Sequence, residues 1–436
     1  MGRKTIIVKK EISFPVDNFI AFKNKMLNWA QPFNIFCLLD NQHYHFETPA
    51  FECLLAVGCK HKIELAAGKT FDALKSFSAK NEDWLFGHIG YDIKNETEGL
   101  SSMNFDGISF PDCFFFVPEV VLRLNDNTLT IYSDGDGAGI FTAIQLNHPY
   151  IEIKPSQKLT INSRISPDEY FSIVKKLQQH ILRGDCYEVN FCQEFFASGT
   201  LIDPLSVYCS LLTLSPNPFA ALYKLNDRFC ICASPERYFK KEGSRITTQP
   251  IKGTTKRNAE NTELDALNRQ RLFESEKEKS ENVMIVDLVR NDLSRVCKEG
   301  TVQVDELFGI YSFPQVHQMI STVSGTLQDG ADWIDVVKAT FPMGSMTGAP
   351  KRKVMEIIER YEHSRRGLFS GTVGYINPQG DADFNVVIRS ILYNATAKYI
   401  SFQAGSAITF YSNAEEEYEE CLLKANTMKQ VLECST

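Results

Sequence analysis

The sequence lacks the residue spacings that mark most metal, redox and membrane proteins. Its twelve cysteines form no CxxC pair and its eight histidines no HExxH sequence, which argues against a zinc site and a disulfide framework. No apolar run approaches the roughly 20 residues that cross a bilayer, and the first residues contain no signal-peptide core. The sequence therefore indicates a cytoplasmic protein with reduced cysteines and no membrane contact.

An excess of positive charge is also missing. Lys and Arg total 46 against 54 Asp and Glu, for a formal net charge of −8, whereas nucleic-acid binding needs clustered basic side chains. The glycines of residues 134–137 are not followed by the GKS or GKT of a phosphate-binding loop. We therefore expect no nucleic-acid partner, and an anionic ligand would have to be held by local donors or by a metal.

The length of 436 residues, of which 43% are hydrophobic and 23% charged, predicts a globular protein with a large core. Two lobes, or one large two-layer unit, are expected at this size. Residues 1–150 have mainly strand patterns, and the polar, proline-containing stretch 151–158 is the predicted linker. Residues 160–436 form the predicted second region.

Apolar runs and turn signals define the expected helices and strands. Helix 167–183 is predicted from an N-cap serine at position 166, a proline at N1 and a glutamate at N3. The other predicted helices span residues 262–280, 335–341 and 351–362, with 281–295 either continuing the first of these or restarting after a break. Strands are predicted at residues 33–39, 51–58, 84–92, 113–118, 128–132, 187–193 and 383–390.

The segment around Lys252 is the most informative part of the chain. β-favouring residues precede it, Pro250 donates no ladder hydrogen bond, and Gly253 allows the backbone to turn close to whatever the lysine faces. Glu236 follows another predicted strand, sixteen residues earlier. Most lysines are simply solvated, but an amine and a carboxylic acid that share a cleft can act as nucleophile and proton donor in covalent catalysis.

Two pairs of glutamates occur at helical spacing. Glu278 and Glu281 share one helix face, and Glu417 and Glu420 repeat this spacing near the C-terminus. Each pair by itself is typical of a solvated helix surface. If the two pairs faced each other, a hard cation would have to lie between them, and carboxylate oxygens suit Mg²⁺.

Three further segments are candidates for binding an anion. The loop 341–351, before a predicted helix, offers backbone amides and the Thr347 hydroxyl, or merely packs tightly. Arg389 lies in an apolar predicted strand and needs a carboxylate partner, from the protein or from a substrate. Residues 405–407 are predicted to form a turn that presents backbone donors or only reverses the chain.

Seven segments, in this order, resemble the chorismate-utilising enzymes, which include anthranilate synthase component I, aminodeoxychorismate synthase component I, and the isochorismate and salicylate synthases. They are SPERY at 234–238, PIKGT at 250–254, SENVMIVDLVRNDLSRV at 280–296, FPMGSMTGAPK at 341–351, RGLFSGTVGY at 366–375, FNVVIRS at 384–390 and EYEE at 417–420. The resemblance is strong over residues 165–430 and loose before residue 150. It implies an α+β fold in which two β-sheets pack together with helices outside and the active site in a cleft between lobes.

Within this family the residue at position 252 distinguishes the reactions. Anthranilate synthases resemble PIAGT where this chain has PIKGT, which is similar to aminodeoxychorismate synthases. The resemblance implies that Lys252 adds to C2 of chorismate and Glu236 protonates the departing 4-hydroxyl. Ammonia then displaces the lysine to give 4-amino-4-deoxychorismate for p-aminobenzoate and folate synthesis. The lysine must be neutral to attack, which burial or nearby cations would arrange.

The resemblance also assigns ligands. Glu281 and Glu420 would bind Mg²⁺ directly, and Glu278 and Glu417 would bind it through water. The residues that would hold chorismate, mainly by its carboxylates, are Gly253, Thr254, Thr347, Phe369, Arg389, Gly405, Ser406 and Ala407. The family commonly has Tyr, Gly and Gln where this chain has Phe369, Ala407 and Glu188, so the contact at Phe369 loses a hydroxyl.

The implied partner is a separate glutamine amidotransferase subunit that supplies ammonia, because the chain has no Gly-x-Cys-x-Gly nucleophile turn. Tryptophan inhibition is not expected, because LLDN at 38–41 stands where tryptophan-regulated members resemble LLES. Isochorismate formation is disfavoured, since EVNF at 188–191 replaces a KVVL-like sequence. Two alternatives remain: anthranilate synthase component I, and a non-catalytic subunit that binds the amidotransferase or an aromatic effector.

Overall fold

The computed structural model describes residues 9–44, 51–148, 159–258, 260–313 and 316–433; the predicted linker at 151–158 lies outside them. Within these ranges the helices are α1 (Phe19–Ala30), α2 (Thr70–Lys80), α3 (Lys94–Thr97), α4 (Gly137–Leu146), α5 (Pro167–Leu182), α6 (Pro204–Leu214), α7 (Thr262–Glu274), α8 (Glu276–Ser294), α9 (Trp333–Thr340), α10 (Lys351–Tyr361) and α11 (Ala414–Glu433). None of these helices combines the length and apolar character needed to span a membrane.

The strands of the first part of the chain are β1 (Lys10–Pro15), β2 (Ile35–Asp40), β3 (Cys53–Val57), β4 (His61–Leu65), β5 (Leu85–Ile89), β6 (Cys113–Val117), β7 (Val120–Asn125), β8 (Thr128–Ser133) and β9 (Asn162–Ser163). The later strands are β10 (Glu188–Ser198), β11 (Phe219–Leu225), β12 (Arg228–Ser234), β13 (Arg237–Glu242), β14 (Arg245–Gln249), β15 (Ile251–Lys256), β16 (Gln303–Ser312), β17 (Val316–Thr326), β18 (Gly348–Ala349), β19 (Thr372–Ile376), β20 (Ala382–Asn385), β21 (Ser390–Asn394) and β22 (Tyr399–Ile408).

The strands form two antiparallel sheets. The first has the order β1-β8-β7-β3-β2-β11-β12-β21-β22-β10-β18, with β9 beside β10, and the second has the order β15-β17-β14-β13-β20-β19-β5-β6-β4, with β16 beside β17. Each sheet joins strands from before and after residue 150, through the pairs β2–β11 and β5–β19. The expected α+β fold with two sheets and outer helices is confirmed, whereas the division into regions 1–150 and 160–436 stays a prediction.

Alternation along the strands builds two hydrophobic cores. In β2, Cys37 and Leu39 belong to the core that contains side chains of both sheets, whereas Phe36 and Leu38 belong to a second core. The second core also contains apolar side chains of α1, α5, α6, α10 and α11. The first sheet is therefore covered by the second sheet on one face and by helices on the other.

Helix termini follow the capping signals in the sequence. The Ser166 hydroxyl accepts a hydrogen bond from the Glu169 N–H at 3.3 Å, and α5 begins at Pro167, so the predicted start is confirmed. The predicted helix 262–280 is wrong in its extent, because the chain breaks at Ser275, which ends α7 and caps α8. This restart places Glu278 and Glu281 in the first two turns of α8.

Candidate active site

Lys252 lies near the start of β15, just after the chain leaves β14 through Pro250. The next residue, Gly253, has a φ of +96°, and a Cβ built there would lie 3.1 Å from Oε2 of Glu278 and 3.2 Å from Cδ1 of Leu272. Glycine accepts both the positive φ and the close approach. Gly253 therefore brings the backbone beside Lys252 against the acidic start of α8.

An ion pair between Lys252 and Glu188 joins the two sheets. Lys252 lies in the second sheet, Glu188 is the first residue of β10 in the first sheet, and Nζ donates to Oε1 at 2.8 Å. The two side chains are only 11% and 1% exposed. Oε2 of Glu188 has no hydrogen-bond partner in the part of the chain that the structure describes. The candidate site therefore lies between the sheets.

The charges around Lys252 differ from those expected. Burial by itself lowers the pKa of this lysine, but the carboxylates of Glu188, Glu281 and Glu236 outweigh burial and raise its pKa above the ordinary value. Burial by itself therefore does not make the amine neutral, because the neighbouring carboxylates stabilise its ammonium form. The effect of a nearby cation stays a prediction. The lysine needs a proton acceptor before it can attack, and Glu188 is already hydrogen bonded to it.

Glu236 lies between β12 and β13 and is 4% exposed. Its Oε1 accepts a hydrogen bond from the Ser345 hydroxyl at 2.7 Å. Burial raises the pKa of Glu236 to about 7, although the Ser345 bond and the charge of Lys252 oppose this rise. A carboxylic acid that keeps its proton near neutral pH is suited to protonating a leaving group.

The two predicted glutamate pairs lie within electrostatic reach of each other. Glu278 and Glu281 are on α8, and Glu417 and Glu420 are on α11. Burial raises the pKa of Glu278, and the charge of Glu420 contributes to this rise. Burial also raises the pKa of Glu281, to about 7. The two pairs are therefore close enough for their charges to act on one another, and their role as metal ligands stays a prediction.

The donors on these helices fit Mg²⁺, which is bound by one or two carboxylates and keeps several waters. Glu417 is 3% exposed, and its Oε2 has no hydrogen-bond partner within the described ranges, while its Oε1 accepts from the Ser412 hydroxyl at 2.8 Å. Among the described residues, no three His, Cys, Asp or Glu side chains are already gathered at metal-binding distance. The glutamates would therefore have to close around a cation.

The loop before α10 uses its threonine locally. The Thr347 hydroxyl donates to the carbonyl of Met343 at 3.2 Å, after a short 3₁₀ turn at Gly344–Met346. Helix α10 begins only at Lys351. This local bond agrees with the alternative in which the loop packs tightly, and a contact of Thr347 with a substrate stays a prediction. The hydrogen bond from this loop to Glu236 comes from Ser345.

Arg389 is not in a strand. The strand predicted at residues 383–390 ends with β20 at Asn385, and Arg389 has a φ of +49°, which interrupts an extended ladder. Burial lowers the pKa of the guanidinium. No carboxylate among the described residues forms an ion pair with Arg389, so its side chain is available to an anionic ligand.

Gly405, Ser406 and Ala407 lie inside β22, where they pair with β10. The predicted turn is therefore wrong. A Cβ on Gly405 would lie 1.9 Å from the carbonyl oxygen of Phe191, so the glycine permits close approach of two strands and does not reverse the chain.

Two predicted substrate-binding residues, Phe369 and Thr254, form no side-chain hydrogen bond or ion pair with Lys252 or Glu236 in the described part of the chain. Phe369 is 3% exposed and belongs to the core that contains side chains of both sheets. Thr254 is exposed on β15. By contrast, Glu236 and Glu281 each interact electrostatically with Lys252.

Sequence reasoning missed three residues of this site. It treated Glu188 only as a departure from the family pattern, although an acid at the head of an apolar strand signals a buried charge that needs a partner. It also passed over Ser345, which contacts Glu236, and Lys277, which precedes Glu278 and lies 3.8 Å from Glu417.

The chain matches the family model of the chorismate binding enzymes over residues 35–430. Aminodeoxychorismate synthase component 1 of Bacillus subtilis (strain 168) is 35% identical to it over 364 residues, which cover 80% of this chain and 77% of that protein. The anthranilate synthase component I-like protein of Synechocystis sp. is 35% identical over 355 residues, which cover 80% of this chain and 72% of that protein. Anthranilate synthase component I from Streptococcus pneumoniae TIGR4 has a crystal structure that matches with a TM-score of 0.77 at 26% identity, covering 90% of this chain and 95% of that one.

These similarities agree with the two-sheet fold. The fold is that of anthranilate synthase component I. The chain belongs to the chorismate binding enzyme family.

Proposed function

We propose that this enzyme aminates chorismate to 4-amino-4-deoxychorismate, the precursor of p-aminobenzoate. The observation that carries the proposal is the lysine at position 252. Its side chain is 11% exposed, is hydrogen bonded to Glu188 and interacts electrostatically with Glu236, the carboxyl group whose pKa burial raises to about 7. The similarity to aminodeoxychorismate synthase component 1 supports the same reaction. Relatives with two different names match at the same identity, so the side chain at position 252 carries the distinction.

The first chemical step uses the lysine and the two acids. Lys252 passes a proton to Glu188, to which it donates at 2.8 Å, and the free amine forms a bond to C2 of chorismate. Glu236, whose pKa is about 7, donates its proton to the 4-hydroxyl as the C4–O bond breaks and water leaves. Ammonia then forms a bond to C4 while the bond between C2 and the lysine nitrogen breaks, which regenerates the amine.

The remaining residues hold the substrate and the metal. Mg²⁺, bound by Glu281 and Glu420 with Glu278 and Glu417 acting through water, would supply the positive charge that offsets the ring carboxylate of chorismate. Arg389, which lacks an ion-pair partner among the described residues, binds a substrate carboxylate. Gly253 permits the backbone beside the lysine to approach helix α8.

A second subunit supplies the ammonia. The relative from Bacillus subtilis is named as component 1 of its enzyme, and we propose that the corresponding partner of this chain is a glutamine amidotransferase. Free ammonium at high pH replaces that partner in a test of the isolated chain.

Product identification tests this function. The chain is incubated with chorismate, Mg²⁺ and ammonium, and the products are identified by mass spectrometry for the wild type, Lys252→Ala and Lys256→Ala. Lys256 lies on the same strand but is exposed, so it is the matched control. We expect aminodeoxychorismate from the wild type and the control and much less from Lys252→Ala.

Two results would contradict the proposal. Anthranilate from the wild type would identify an anthranilate synthase component I in spite of the lysine. The absence of any turnover, with folded protein and ample ammonium, would favour a non-catalytic subunit.

A further inference from the structure

Lys277 lies among the four glutamates of the proposed metal site. It precedes Glu278 on α8 and is four residues before Glu281, so Lys277 and Glu281 share a helix face. Its Nζ lies 3.8 Å from Oε1 of Glu417 on α11. One ammonium group therefore spans the gap between the two acidic helices.

The charges on Lys277 come from the whole cluster. The carboxylates of Glu417, Glu281, Glu420 and Glu278 all attract its ammonium group. These are the four predicted metal ligands. Lys277 thus supplies positive charge at the place where the proposed function requires a divalent cation.

The metal-free cluster needs such a charge. Glu417 is 3% exposed, and its Oε2 has no hydrogen-bond partner in the described part of the protein. Like charges on facing helices repel each other, and a buried carboxylate without a counter-ion is strongly disfavoured. The Lys277 side chain is 57% exposed, so it can move into solvent without breaking a packed core.

We propose that Lys277 is an internal counter-ion that holds the four glutamates together in the metal-free enzyme, and that a divalent cation binds by displacing its ammonium group from Glu417. This inference rests on the metal site of the proposed function. The ammonium group and a metal ion would compete for the same carboxylate oxygens, so the two cannot occupy the site together.

Calorimetric titration of the substrate-free full chain with Mg²⁺ tests the inference directly. Lys277→Met removes the competing charge, and we expect Mg²⁺ to bind about fivefold more tightly, the upper end of what loss of a partly exposed ion pair gives. Lys277→Arg keeps the charge and should stay within about twofold of the wild type. Lys279→Met is the matched control, because Lys279 lies on the same helix but pairs with Glu276, whose side chain is 89% exposed.

Thermal unfolding gives a second readout. Without metal, Lys277→Met should melt below the wild type because the carboxylates lose their counter-ion. Its gain in melting temperature on adding Mg²⁺ should exceed that of the wild type. Lys279→Met should change neither quantity.

Unchanged or weaker Mg²⁺ binding by Lys277→Met would overturn the inference. Glu281→Gln separates this failure from a failure of the metal site itself. If Glu281→Gln binds Mg²⁺ as the wild type does, the metal site of the proposed function is wrong and the inference falls with it. If Glu281→Gln loses Mg²⁺ while Lys277→Met binds no more tightly than the wild type, only the counter-ion role is refuted.

Discussion

Replacing Lys252 by alanine is expected to destabilise the folded protein as well as to lower amination strongly. The variant leaves Glu188, which is 1% exposed, without the ammonium group that now lies 2.8 Å from its Oε1. The other carboxylate oxygen of Glu188 has no partner among the described residues. The unpaired carboxylate must then stay charged between the sheets or take up a proton.

The loss of stability in Lys252→Ala depends on whether Glu188 stays charged or takes up a proton. Removing one partner of a buried ion pair destabilises a protein by about 3 to 5 kcal/mol. Protonation limits the loss, because protonating an ordinary glutamate of pKa about 4.3 at pH 7 costs about 3.7 kcal/mol. We therefore expect Lys252→Ala to lower the free energy of unfolding by about 3 to 4 kcal/mol at neutral pH. This deficit should shrink by about 1.4 kcal/mol for each pH unit below 7, because protonation becomes easier.

Urea unfolding followed by circular dichroism measures this effect in the wild type, Lys252→Ala, Glu188→Gln and the double variant. The double variant should recover most of the loss, because the glutamine carries no charge to leave unpaired. It also gives the product assay an inactive protein that remains stably folded. A Lys252→Ala variant within about 1 kcal/mol of the wild type, well below the cost of a broken buried pair, would refute the reasoning. A double variant no more stable than Lys252→Ala would refute it as well.

Two further predictions concern the acid and the arginine. Glu236 has a folded pKa of about 7 against an ordinary value of 4.5, so the folded protein holds this proton more tightly than the unfolded chain does. The stability from Glu236 is full below about pH 4.5 and is lost as pH rises through about 7. The stability difference between wild type and Glu236→Gln, measured by urea unfolding from about pH 5 to about pH 9, should therefore fall with pH, and a constant difference would contradict the burial argument. Arg389→Met should leave folding stability unchanged or higher, because it removes a partly buried charge that has no carboxylate partner among the described residues. The same variant should raise the KM for chorismate about 100-fold. Arg237→Met is its control and should lose about 3 kcal/mol, because it breaks a buried pair with Asp383; equal stability losses in both arginine variants would show that Arg389 is structural.

Local signals in the sequence predicted most of the elements but not all of their ends. Ser166 and Pro167 start a helix because the serine hydroxyl satisfies a free N–H and proline needs none. The segment around Arg389 reads as a strand by composition, yet the residue has a φ of +49°. Gly405 is typical of a turn, yet the space it leaves is taken by the carbonyl of Phe191 on a neighbouring strand. Such close approaches depend on residues far away in the chain, so no local pattern contains them.

The candidate site divides in the same way. The sequence by itself determined the chemistry available: an amine at position 252, an acid at 236 and two glutamate pairs at helical spacing. Only the tertiary structure decided that Glu188 faces the amine across the two sheets, that burial raises the pKa of Glu236 to about 7, and that Lys277 spans the two acidic helices. The physical reason is that the identity of a side chain fixes which proton or charge it can carry. Whether the side chain is protonated or charged depends on its burial and on neighbouring charges, and the packing of distant segments creates both.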